Sequence, residues 1–193
     1  MTRIVYYTST SLDGFIADPK NSLDWLDGVE GGADSLAEGE IFASGVRAIV
    51  AGSGTYRWVL EHEHLLDNPE RWHTYFGGKK MFVFTHRSDL PAVPGADIEF
   101  VEGPPARHID RIRAVAGSRD IWLIGGGDLA TQFAAAGHLD EIHLSIAPAT
   151  LGAGSPLFPA RLDSAQLTLV ETYAIGQFIR ARYRVDSRQD SVS

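Results

Sequence analysis

The chain has 193 residues, of which 44% are apolar, 22% charged and 10% aromatic; this is ordinary globular usage, enough to bury one sizeable core and against wholesale disorder. Seventeen basic against twenty-five acidic side chains leave a net charge of −8, which disfavours a general nucleic-acid binder, because phosphate backbones need a basic face. No apolar run approaches the ~20 residues of a membrane span, and the lack of cysteine excludes disulfides, a thiolate nucleophile and cysteine-ligated metals.

Taken in order, the N-terminus enters a strand pattern directly at Ile4–Ser9, with no secretory signal, so a cytoplasmic protein is expected. Turn formers follow at Asp13-Gly14 and Asp18–Ser22. Asp34–Phe42 reads as a short helix with Leu36, Ile41 and Phe42 inward. Ala48–Ala51, Met81–Thr85 and Ile98–Val101 read as strands, and Ile109, Ile112 and Val115 recur at helical spacing. Asp120–Ile124 is a buried strand, Gly125-Gly126-Gly127 a turn and Asp128–Ala136 a helix of small residues, before a strand at Ile142–Ala147. Leu167–Glu171 and Phe178–Val185 make a terminal pair; in the second, Arg180, Arg182 and Arg184 share one face. About eight strands with interspersed helices and no low-complexity linker predict one α/β domain over 1–187 and a frayed tail at 188–193.

Three glycines between a buried strand and a helix exceed what a plain turn needs. They permit a sharp bend and close approach to the main chain, next to helix N–H groups that suit a phosphate oxygen. Ala130 stands at the third glycine position of a GxGxxG frame, and the motif lies late in the chain, so a standard Rossmann domain is disfavoured. Gly52-Ser53-Gly54-Thr55 repeats the logic after the second strand, with Thr55 as an N-cap for the next helix. Thr85-His86-Arg87 closes a third strand with groups able to grip a ribose or its phosphate. His62-Glu63-His64 carries imidazoles at a spacing that shares a face only in a strand, so no metal site is expected. Trp25 is the aromatic best placed to wall a pocket, and Asp140-Glu141 reads equally as substrate orienter or turn. The arginine face is either a solvated edge or a seat for an acidic partner surface.

Ser9–Ala17, Gly52–Tyr56, Ile124–Gly127 and Leu139–Leu144 running on to Pro148, Gly152, Gly154 and Leu157-Phe158 occur in an order that resembles the dihydrofolate reductase fold. They resemble above all the reductase domain of bifunctional riboflavin-biosynthesis deaminase-reductases and its stand-alone relatives. The resemblance spans residues 4 to about 185. It implies a three-layer fold, with a central, mostly parallel sheet of about eight strands, an antiparallel C-terminal pair and helices on both faces. It also implies NADPH as cofactor. Gly52, Ser53, Gly54 and Thr55, with Gly125, Gly126, Gly127, Asp128 and Leu129, would pack on the pyrophosphate. Thr85, His86 and Arg87 would hold the adenosine end, and Ile16 and Ala17 would line the nicotinamide. Ser53 stands where the family usually has an arginine, which opens the choice between NADPH and NADH. Asp13, Asp34 and Glu38 are the candidate acids.

The expected function is a reductase passing hydride from NADPH to a small heterocyclic or carbonyl-bearing substrate, pterin-like or riboflavin-precursor-like. A non-catalytic dinucleotide-binding or sensing module is the alternative. The partners expected are a small-molecule substrate and a second copy of the chain, with neither nucleic acid nor membrane.

Overall fold

Val46–Gly52 carries buried Val46, Ala48, Ile49, Val50 and Ala51, the composition of a strand covered on both faces. The computed structural model describes residues 2–186, and the expected tail at 188–193 lies outside them. Strands β1 (Ile4–Thr10), β3 (Val46–Gly52), β4 (Lys80–Phe84), β5 (Ile98–Val101), β6 (Asp120–Gly125) and β7 (Glu141–Ile146) run parallel. Strands β9 (Leu167–Ile175) and β10 (Phe178–Val185) extend the sheet antiparallel, β10 pairing with β7. Two short segments, β2 (Phe15–Ala17) and β8 (Ser155–Pro156), pair separately. The helices are α1 (Gly32–Gly45), α2 (Ser53–His62), α3 (Arg71–Phe76), α4 (Ile109–Ala116) and α5 (Gly127–Ala135). The eight-stranded sheet has the order β5-β4-β3-β6-β1-β7-β10-β9.

Alternation along the strands divides the core in two. Ile4, Tyr6, Val50, Ile121 and Leu123 pack with Ile112 of α4 and Phe133 of α5. Burying Phe133 completely contributes about 3 kcal/mol. Ile49, Ala51, Met81 and Val83 face the other way, onto Tyr56 of α2 and Trp72 of α3. Among the described residues no helix is long and apolar enough to cross a membrane.

This topology positions the site. From β3 the chain crosses through α2 to β4, while from neighbouring β6 it crosses through α5 toward β7 on the opposite side. The two helices therefore start on opposite faces of the sheet, and a crevice opens between them at the carboxyl ends of β3 and β6. Such a switch point is where open parallel sheets bind ligands.

The structure corrects the expected first helix. α1 begins at Gly32, and Leu36 and Ile41 stand 73% exposed instead of facing inward. Its inner face is Ser35, Glu38, Gly39 and Phe42. The Phe42 ring stacks on Tyr7 at 4.7 Å, and Ser35 Oγ lies 3.1 Å from Ser145 Oγ. The arginine face is corrected as well. Arg180 is 5% exposed and pairs through Nε with Glu38 at 2.8 Å, while its guanidinium donates to the Tyr7 hydroxyl. Arg182 pairs with Glu171 at 3.5 Å and Arg184 with Asp186 at 2.8 Å, so all three arginines are paired within the chain.

Candidate functional site

The crevice is floored by two glycine turns. α2 takes Gly52 as its N-cap and α5 takes Gly126, and neither helix has a side-chain cap. Thr55 thus sits in the first turn of α2, not at its cap as the sequence suggests. Both helices leave first-turn N–H groups without intrahelical acceptors, and their dipoles direct positive potential into the same space.

The three consecutive glycines answer to different constraints. A Cβ at Gly125 would lie 2.7 Å from Thr55 Oγ1, and one at Gly127 would lie 2.2 Å from the Pro156 carbonyl oxygen. Gly126 has φ +92°, which side chains rarely adopt. Gly54 differs from all of these, because a Cβ there would meet no protein atom within 4 Å, yet the residue lines the cleft. The close fit of Thr55 on Gly125 and of Gly127 on Pro156 locks the two turns to each other and to β8.

The cavity between them measures about 530 Å³. Its walls beyond the turns include Thr8, Ile16, Ala17, Trp58, Ile124 and Pro156. Ile16 and Ala17 reach it on β2, which Asp13 holds in place from the adjoining turn. The Asp13 carboxylate accepts from Ser11 Oγ at 2.6 Å, Gly152 N at 2.7 Å and Leu151 N at 3.0 Å. The Ser11 hydroxyl above all, then the Gly152 amide, hold this carboxyl below the ordinary aspartate range. Trp58 is fixed by the His62 ring, stacked 4.4 Å away.

Of the residues singled out in the sequence, the structure brings Ile16, Ala17, Gly54, Thr55, Gly125, Gly126, Gly127 and Asp128 together around this cavity. Gly52 and Ser53 lie in the same α2 turn, whereas the Leu129 side chain is 6% exposed in the core. Thr85, His86 and Arg87 sit apart from it. His86 faces Glu102 at 3.2 Å, and Arg87 pairs with Asp89 at 3.4 Å on the other flank of α2, beside Arg57 and His64.

The candidate acids have other surroundings. Asp34 is exposed on the outer side of α1, Glu38 is held by Arg180 and the Tyr173 hydroxyl, and Asp13 ties the loop. Asp140 accepts from Ile4 N at 2.7 Å, where β1 begins, at the edge opposite the crevice. Trp25 does not line the cavity; Trp58 does. Gly54, Thr55, Trp58 and Val59 share one flank of a helix, a signal available once Ser53–His62 is read as helical.

The α/β fold that carries this cleft is shared with solved proteins named for riboflavin biosynthesis. The chain belongs to the family of the RibD C-terminal domain: a sequence profile of that domain matches residues 109–180, from α4 into β10. It is 30% identical to the uncharacterized protein YwjB of Bacillus subtilis over 94% of this chain and 97% of that one. Its fold matches a protein of Shewanella sp. PV-4 provisionally assigned to riboflavin biosynthesis, with TM-score 0.72 and 25% identity over 96% and 99% of the two chains. It also superposes on a Thermotoga maritima protein named diaminohydroxyphosphoribosylaminopyrimidine deaminase / 5-amino-6-(5-phosphoribosylamino)uracil reductase, with TM-score 0.65 and 14% identity. That match covers 95% of this chain and 56% of the Thermotoga chain, so this protein corresponds to about half of the longer one.

Proposed function

We propose that the protein is an NADPH-dependent reductase of a small heterocyclic or carbonyl-bearing substrate. The observation that carries this reading is the convergence of two uncapped helix N-termini on one cleft, with open space over Gly54. Family membership supports it. The residues present fit a dinucleotide. The N–H groups of residues 53–55 and 127–129 would take the pyrophosphate oxygens, and Ile16 and Ala17 would form an apolar wall for the nicotinamide.

When bound, the reduced nicotinamide supplies the hydride. The chain contributes position and exclusion of water: β2, held by Asp13, covers the cleft, and Trp58 and Pro156 confine a ring against it. The bond reduced would be a C=N or C=O held against the Ile16–Ala17 wall, its carbon taking the hydride and its heteroatom a proton from solvent. Among the described residues, Asp128 is the only ionisable side chain lining the cavity, and Gln132 donates to it at 2.8 Å.

The test has two stages. Titration with NADPH and separately with NADH, followed by tryptophan quenching, should give saturable binding, and the ratio of the two affinities reads whether any side chain replaces the arginine that Ser53 displaces. Steady-state NADPH oxidation against pterins, flavin precursors and quinones should then show turnover. Binding without turnover of any of these would support a sensing module instead, which the absence of Asp13, Asp34 and Glu38 from the cavity lining favours. No binding of either cofactor would overturn both readings.

A further inference from the structure

Gly54, Trp58 and His62 fall at successive i, i+4 positions of α2, so they form one stripe along the helix. Helical side chains lean toward the N-terminus, which lays the His62 ring on Trp58 and turns the indole toward Gly54. The two rings are 4.4 Å apart and within 15° of parallel. His62 therefore covers one face of the indole. The other face looks along the stripe to Gly54, where a Cβ would meet no protein atom within 4 Å. Trp58 and Gly54 line the same cavity.

His62 is itself held from behind. Its Nε2 lies 3.8 Å from the Glu63 carboxylate, which accepts from Arg71 Nη2 of α3 at 2.7 Å. Arg71 Nη1 also donates to the Glu63 carbonyl at 2.8 Å, where α2 ends.

The space beside the free indole face fits a planar ring. Indole is electron-rich, so the ring it favours is electron-poor, and a cationic ring above all. Among the described residues lining the cavity there is no lysine, arginine or histidine to repel such a ring. Lys20, beside the lining Asn21, is exposed to solvent, which screens it.

We infer that Trp58 is the shelf on which the cofactor's nicotinamide stacks, with His62 as its positioning residue, and that the cleft holds the oxidised ring more tightly than the reduced one. This rests on the reductase reading, which puts the nicotinamide in this cavity. The oxidised ring is a pyridinium cation and the reduced ring is neutral, so only the first gains a cation–π contact. Product cofactor then competes with NADPH, and turnover follows the ratio of the two in solution.

The experiment uses the full chain with NADP⁺, NADPH and phosphoadenosine diphosphoribose, which is the cofactor without its nicotinamide. Calorimetry gives each affinity, and absorption spectra report the long-wavelength charge-transfer band that an indole stacked on a pyridinium produces. Wild type should bind NADP⁺ about fivefold more tightly than NADPH and show the band. Trp58→Leu should lose both the band and the preference while the ringless probe binds as before. His62→Ala should weaken both, and His62→Phe, which keeps a flat ring on the indole, should restore them. Absence of the band or the preference in the wild type, a band that survives Trp58→Leu, a His62→Ala variant that matches wild type, or a His62→Phe variant that restores neither would overturn the inference. So would equal losses for the ringless probe, which would make Trp58 a determinant of cleft shape alone. Failure of the wild type to bind any probe would instead remove the reading beneath it.

Discussion

The two flanks of β1 are built on opposite principles. On the β6 side the site is made of backbone: glycine turns, helix N-termini and a cavity whose shape depends on what side chains leave out. On the β7–β10 side, under α1, side chains form a partly buried polar network of Arg180, Glu38, Tyr7, Ser35 and Ser145, of which Tyr7, Glu38 and Arg180 also line a smaller cavity of about 230 Å³. The first flank keeps open donors for a ligand, while the second satisfies its donors internally and holds a helix whose inner face is too polar to dock by apolar burial alone. Binding and anchoring are thereby separated across one strand.

The largest effect expected from breaking this division is on stability. Arg180→Met would leave Glu38 without its partner in a half-closed polar layer, a loss of about 3 kcal/mol in urea unfolding. The double variant Glu38→Gln, Arg180→Met should recover most of that. If Arg180→Met unfolds at the wild-type urea midpoint, the network is not what holds α1. Next comes Gly125→Ala. Its methyl would press on Thr55 Oγ1, which the glycine leaves 2.7 Å from the position of a Cβ. The strain should cost about 1–2 kcal/mol and lower NADPH affinity about tenfold, read by calorimetry and titration; the change confined to stability would separate the turn from the cofactor.

A smaller effect tests the outer side of α1. The exposed Leu36 and Ile41 there, with the exposed apolar residues of β9, fit the proposed homodimer. Leu36→Glu should leave the melting curve within about 0.5 kcal/mol of wild type while shifting the light-scattering mass toward 21.0 kDa. A wild-type particle already of that mass removes the dimer. The smallest effect is expected from the loop tie. The carboxyl of Asp13 is held below its ordinary range, so its contribution is complete above the unfolded aspartate value near 4 and is lost as pH falls through the lower folded value. Asp13→Asn should lower the melting temperature slightly at neutral pH and flatten its acid dependence; parallel pH profiles for the two proteins would contradict that role.

The same division explains what could be read in the sequence. Strand order of appearance, the glycine turns and the antiparallel terminal pair were legible because short apolar runs, turn glycines and alternation are local signals. The α1 face was not. Leu36 and Ile41 carry the apolar signal of an inward face, but Arg180 and Ser145, more than a hundred residues away, claim the opposite side for Ser35 and Glu38. Trp58 ranked behind Trp25 because the sequence signals the helix cap at Thr55, whereas Gly52 caps α2 and Trp58 lies one turn after Gly54 on the cleft flank. Thr85, His86 and Arg87 are a strand ending that resembles an adenosine grip; in the structure they lie outside the cavity between the two turns, with His86 facing Glu102 and Arg87 facing Asp89.

The central claim is that two bare helix N-termini bind one pyrophosphate, and Gly54 gives the most direct access to it. Gly126 is less suited, since φ +92° would strain any side chain there, whereas Gly54 has open space. Titration of wild type and Gly54→Asp with NADPH, followed by tryptophan quenching, should show saturable binding for the wild type. The variant should bind about a hundredfold more weakly at an unchanged melting temperature. Indistinguishable binding curves for the two proteins would contradict the account.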